Sequence, residues 1–188
     1  MMQLPIYTYS ASVLREKTKE VKRLDHETIR LIVDMFETMH KASGIGLAAN
    51  QVGEGKSLTV IDLSEMEKDE DRHEPLVLIN PVIREVSEEI IPYEEGCLSL
   101  PGIREEIERP GKILVKFRDA NFESVELEAD GLLARAIQHE VDHLNGIFLT
   151  DHLKGLKKRF INIQLNKIKK GDITADYPLA TNGALVPA

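Results

Sequence analysis

Cysteine occurs once in the 188-residue chain, at position 97, so no internal disulfide can form. That scarcity fits a reducing compartment and makes the lone thiol a group worth placing. Basic charge is also short. Against 32 Asp and Glu stand 24 Lys and Arg, a formal charge of -8, which argues against a protein that binds nucleic acid over its whole surface. No window approaches 18 uninterrupted apolar residues, and the start, Met1 to Tyr7, has no basic region followed by an apolar run. Neither a membrane span nor a secretory leader is expected, and the reading is a cytoplasmic protein with no membrane association. What remains, 42% hydrophobic and 30% charged, is ordinary globular composition in a chain long enough for a core of its own.

Local patterning predicts an α+β layout. Residues 4 to 24 read as an irregular arm. Asp25 offers an N-cap, and Ile29, Ile32, Val33, Phe36 and Met39 recur at helical spacing, predicting an amphipathic helix over about 26–41, with His40 at its core or boundary. The glycine-rich run Ser43 to Gly53 stops that helix. It lacks the order of a phosphate-binding loop, leaving a connector or a place of close backbone approach. Strands are expected over 57–63, over 75–83 with a bend at Pro81, and in several pieces from 86 to 128. The last two, 112–118 and 124–127, form a hairpin around Asp119-Ala120-Asn121. Between the first two strands, Ser64 to Glu74 carries six acidic residues and reads as a solvated loop. A last helix from Asp151 to Lys170 would bury Leu153, Leu156, Phe160, Ile163 and Ile168. It carries Lys154, Lys157, Lys158, Arg159, Lys167, Lys169 and Lys170. Residues 1–171 are expected as a single domain, and 172–188 as a loosely ordered tail.

The chemistry centres on Gln138-His139-Glu140-Val141-Asp142-His143, an HExxH motif in a stretch, Leu132 to Ala136, that favours helix and ends near Gly146. Histidines four apart on a helix share a face and can reach one metal ion, and the intervening glutamate can act as general base on a metal-bound water. Completing the site requires a third donor. The HExxHxxGxxH completion fails because Leu149 stands where histidine is needed, and a later glutamate is excluded because none follows Glu140. His152 sits at the start of the next helix without matching spacing. Upstream, Cys97 lies in Glu95-Gly96-Cys97-Leu98-Ser99, in a segment bounded by glycine and proline. Two imidazoles and one thiolate would leave a fourth tetrahedral position open.

Three blocks, Gly44-Ile45-Gly46-Leu47-Ala48-Ala49-Asn50-Gln51, Glu95-Gly96-Cys97-Leu98-Ser99 and Gln138 to His143, together resemble the peptide deformylase family, complete and in its order. The resemblance implies short antiparallel sheets packed around a central HExxH helix, with an N-terminal amphipathic and a C-terminal helix. It implies a metal held by Cys97, His139 and His143, ordinarily Fe(II), with Zn2+, Ni2+ or Co2+ able to replace it. Glu140 would be general base and acid, and Gln51 and the Leu98 N–H the oxyanion hole. The reaction would free formate from the N-terminal formylmethionine of new polypeptides; another HExxH metallopeptidase or amidase is the alternative. Gly44, Ile45 and Gly46 would let an extended peptide run beside the backbone. Tyr93, Leu132 and Ala136 would wall a pocket for methionine, together with the Arg135 stem, whose charge is expected to reach water. Glu95 and Gly96 flank the cysteine at the same site. Arg104 would lie near the substrate backbone or pair with Glu95. Gly102 departs from the polar residue many members carry there. The basic last helix is either an ordinary solvated face or a contact to ribosomal RNA.

Overall fold

The structure is a computed structural model; it describes residues 2–66 and 73–181 in full and 184–186 by backbone alone. Much of the expected acidic loop, 67–72, lies outside the described residues. The arm runs through β1 (Ile6–Tyr7) and a 3-10 turn at Ser12–Leu14 into α1 (His26–Lys41). Asp25 caps α1 by accepting the Thr28 N–H at 2.9 Å. Leu31, Ile32, Met35 and Met39 turn inward, while Ile29 and Val33 are 44% and 40% exposed, so the buried face is rotated from the expected one. His40 is exposed rather than in the core, its side chain bonded to Asp62 at 2.8 Å.

The glycine run is more than a connector. Gly46–Ala48 forms β2, followed by a 3-10 turn at Ala49–Val52. With β3 (Leu58–Ile61), β4 (Leu76–Val86), β7 (Lys112–Arg118) and β8 (Ser124–Asp130) it makes an antiparallel sheet of order β2-β3-β4-β7-β8. β4 bends where Asn80 takes φ 53° before Pro81, and the Asn80 carboxamide holds both the N–H and the carbonyl of Val21. β5 (Ile90–Gly96) and β6 (Arg104–Pro110) pair as a separate two-stranded sheet.

Helix α2 (Gly131–Leu144) carries the HExxH motif and packs on β2, β3, β4, β7 and β8. Leu133, Ala134, Ala136, Ile137 and Val141 join Ile61, Leu63, Leu78, Ile113, Val115 and Phe117 in one apolar cluster. A fully buried Leu or Ile contributes about 1.5–3 kcal/mol, so this cluster is what holds the motif's backbone against the sheet. Gly146 follows the helix at φ +75°. A Cβ there would stand 2.5 Å from the Arg15 carbonyl oxygen, so glycine is required twice over.

Helix α3 (Gly155–Lys170) corrects one expectation. Leu153, Ile161, Leu165 and Ile168 are buried, but Leu156, Phe160 and Ile163 are 68%, 69% and 62% exposed. Two apolar stripes fit the helical period, and periodicity alone chose the outer one. The chain after α3 also differs from a loose tail. β9 (Leu179–Thr181) runs parallel to β1, pairing Ile6 with Leu179 and Tyr7 with Ala180, and β10 (Ala184–Val186) pairs with β9. Leu179 and Ala180 are buried. Of the described residues, no helix is long and apolar enough to cross a membrane.

Candidate metal centre and substrate cleft

Helical spacing on α2 sets His139 and His143 on one face, their ring centroids 5.0 Å apart. At the end of β5 the chain turns, Cys97 accepting the Leu100 N–H at 2.9 Å, and this turn presents the thiol to the two rings. Cys97 Sγ is 3.1 Å from His143 Nε2, and one donor atom from each of Cys97, His139 and His143 lies within 4.8 Å of the others. This is the one such group of three found among the described residues. His152 is apart from it, bonded to Asp142 at 2.8 Å.

The donor set fits a metal ion on the surrounding hydrogen bonds. His139 Nδ1 faces Glu95 Oε2 at 2.9 Å, which leaves Nε2 for coordination and fixes the ring, as ligating histidines usually require. Glu95 in turn accepts Arg109 through Nε at 2.7 Å and Nη2 at 3.1 Å, and Arg135 through Nη1 at 2.9 Å. Arg109 also reaches Asp142 at 2.6 Å. Two guanidinium groups thus balance two carboxylates. Burial alone would raise Glu95, but hydrogen bonds from His139 and Arg109 and the Arg109 charge outweigh it and hold the carboxyl far below its usual range.

Arg135 departs from expectation. Its charge does not reach water: the side chain is 7% exposed and bonds Glu95, the Ile107 carbonyl at 2.9 Å and the Ile91 carbonyl. Ile91 and Glu95 lie on β5 and Ile107 on β6, and those two carbonyls with Glu95 supply the acceptors that a buried guanidinium needs. Arg104 pairs with Glu94 at 3.0 Å, so of its two readings the pairing with Glu95 is replaced by one with the neighbouring carboxylate.

Glu140 Oε2 is buried with no hydrogen-bond partner, an arrangement that suits a group awaiting water. Burial pushes Glu140 up to about 7, near the operating pH of a general base. Gly46 lies against this carboxylate. A Cβ there would meet Glu140 Oε1 at 2.5 Å, and one at Gly44 would meet Leu98 Cδ1 at 2.8 Å. The two glycines therefore secure close approach across the site, an exclusion that the sequence pattern had left open. Gln51 Oε1 accepts the Ala48 N–H at 2.8 Å, which turns its Nε2 toward Ser99 Oγ at 3.2 Å and Cys97 Sγ at 3.8 Å.

The cluster opens on a cleft of about 460 Å3 lined by Gly44, Ile45, Gly46, Tyr93, Glu95, Gly96, Leu98, Arg104, Leu132, Arg135 and Ala136. All the residues singled out as substrate contacts meet in it. Among the described residues β2 is the edge of its sheet and β5 pairs with β6 alone, so two strand edges flank the cleft. Three site residues had no role in the sequence reading: Arg109 was not singled out, Ser99 appeared only as the last residue of a quoted block, and Tyr177, also in the cleft wall, fell in the expected tail. Their roles depend on partners 14 or more positions away.

A His2Cys donor set beside a buried glutamate, at the floor of an open groove, defines a class: an α+β metal-dependent hydrolase. Residues 3–159 match the polypeptide deformylase family model. A peptide deformylase of Salinibacter ruber is 46% identical over 187 residues, covering 96% of this chain and 95% of that one. A relative in Cellvibrio japonicus is 46% identical, covering 92% and 99%. Among solved structures, peptide deformylase from Ehrlichia chaffeensis in complex with actinonin aligns with a TM-score of 0.82 at 40% identity, covering 93% of this chain and all of that one. A plant peptide deformylase aligns at 0.82 and 32% identity, covering 93% and 96%. The chain belongs to the polypeptide deformylase family.

Proposed function

We propose that this chain removes the formyl group from the N-terminal formylmethionine of new polypeptides, working where those chains are made, in the cytoplasm. The observation that carries the reading is the convergence of Cys97, His139 and His143 with the unpartnered Glu140 carboxylate on one groove between two strand edges. Cys97, His139 and His143 would hold a divalent ion, Fe(II) as resident with Zn2+, Ni2+ or Co2+ able to take its place. When bound, such an ion supplies Lewis acidity that makes water nucleophilic at neutral pH.

The chain's own groups do the rest. Glu140 takes the proton from the attacking water and delivers it to the leaving nitrogen. Gln51 Nε2 and the Leu98 N–H stabilise the developing oxyanion, each such donor worth about 3 kcal/mol. The β2 edge at Gly44, Ile45 and Gly46 binds an extended peptide by main-chain bonds, which read no side chains and so accept many downstream sequences. Tyr93, Leu132, Ala136 and the Arg135 stem wall the space for methionine, Glu95 and Gly96 frame it, and Arg104 stands at the rim.

The test is formate release from formyl-Met-Ala-Ser beside an unformylated peptide, with metal analysis on anaerobically purified protein. Cleavage of internal peptide bonds without formate would transfer the chain to the metallopeptidases. Glu140→Ala is expected to keep its metal and lose turnover. The six cations and absent acids of α3 support a second element of the proposal, contact with the ribosome through that helix. Unchanged co-sedimentation at low salt after neutralising Lys157, Lys158 and Lys167 would remove it.

A further inference from the structure

Residue Tyr177 lies beyond the stretch matched by the family model, in the segment that looked like a tail. Its hydroxyl donates to the Leu98 carbonyl at 3.0 Å, across 79 positions of sequence. That carbonyl belongs to the central peptide of the Cys97–Leu100 turn, whose own closing bond runs from the Leu100 N–H to the Cys97 carbonyl. Central peptides of four-residue turns can rotate between alternative turn types, and a bond to their carbonyl selects one orientation. The same peptide carries Ser99, whose Oγ accepts Gln51 Nε2 at 3.2 Å.

Tyr177 is well anchored for such a task. The next residue, Pro178, has a ring-fixed φ, and its carbonyl accepts the Ile6 N–H at 2.8 Å. Ala180 accepts the Thr8 N–H at 3.0 Å, and Thr8 and Thr181 join hydroxyls at 2.9 Å. Ile173, Ala175, Tyr177 and Leu98 all pack against the cluster formed by α1, β2 and β3. From the other side, Leu98 presses on Gly44, where a Cβ would come within 2.8 Å of its Cδ1. The turn is therefore gripped between the glycine edge and the C-terminal segment.

We infer that Tyr177 is a positioning residue: through the Leu98 carbonyl it fixes the central peptide of the Cys97–Leu100 turn, and so Ser99, whose Oγ keeps the Gln51 amide aimed at the reacting oxygen. This rests on the reading of Gln51 as an oxyanion donor. The C-terminal segment is then a strap that completes the site rather than an appendage.

Tyr177→Phe in the full, metal-loaded chain removes the hydroxyl and keeps the ring contacts. One hydrogen bond is worth about 1 kcal/mol, so kcat for formyl-Met-Ala-Ser should fall about fivefold. KM and metal content should stay unchanged. Hydrogen exchange should quicken in the peptide spanning Cys97 to Leu100 and stay unchanged in α2. Unaltered kcat and exchange would overturn the inference. So would a rise in KM at constant kcat, which would make Tyr177 a substrate contact, or a lower melting temperature with full turnover per folded molecule. A wild-type chain that releases no formate overturns the reading of the site itself. Wild-type turnover with an indifferent Tyr177→Phe overturns the strap alone.

Discussion

Gly46→Ala isolates one contact on which the site depends. Gly46 has no left-handed backbone angle, so alanine introduces no conformational strain there. What it introduces is a methyl 2.5 Å from Glu140 Oε1 and 3.0 Å from both Cδ and Cγ. Ordinary carbon contacts begin near 3.5 Å, so the glutamate must retreat by about 1 Å. It has little room, since Glu140 is 4% exposed on a helix packed against the sheet. Overpacking of this kind costs about 1–3 kcal/mol, and a displacement of 1 Å in a catalytic group costs about 100-fold in rate, or roughly 2.7 kcal/mol of barrier. The expected result is a folded, metal-binding protein whose kcat for formyl-Met-Ala-Ser drops about 100-fold, with metal content near that of wild type. Gly44→Ala is the control. Its methyl meets the end of a flexible leucine at 2.8 Å, and the loss should be well under that of Gly46→Ala. Formate release by Gly46→Ala within threefold of wild type, at about the rate of its control, would refute the argument.

Glu95→Gln should lower stability at pH 7, and the gap from wild type should narrow as pH falls. The folded-state carboxyl titrates below its ordinary 4.5, so its stabilisation is present above that value and lost as pH drops through the folded pKa. Melting temperatures from pH 7 to 3 check this, and a constant gap would contradict it. The same variant should weaken metal binding about 10–100-fold, because His139 loses the carboxylate that orients it; competition with a chelator measures the change. Arg135→Met should destabilise by about 3–5 kcal/mol, since it leaves the buried Glu95 carboxylate with one guanidinium instead of two; urea denaturation would register it, and a loss under 1 kcal/mol would mean the Arg135–Glu95 pair matters little. On α3, Leu165→Ala should cost about 2–5 kcal/mol and Ile163→Ala less than about 0.5 kcal/mol, the order reversing if the outer stripe were the buried one.

The identity of the site was open to a reader of the sequence because much of it is local. HExxH needs only the helical period to bring two imidazoles together, and the lack of any glutamate after Glu140 and of histidine at 149 turned the search toward Cys97. The expected roles of Gln51 and Leu98 came with the resemblance of three short blocks, not from spacing. Local signals also placed the Asp25 cap and the β7–β8 hairpin. Tertiary structure decided matters that depend on distant partners. Whether Arg135 met water or Glu95 depended on where the β5–β6 pair places Glu95 and the Ile91 and Ile107 carbonyls, and α3 carried two stripes of equal period, of which packing chose Leu165 over Ile163. Tyr177 sat among residues with the composition of a loose tail, because strand pairing of two residues with β1 leaves almost no trace in a segment that short. Periodicity reports what a segment can bury, and the rest of the chain determines what it meets.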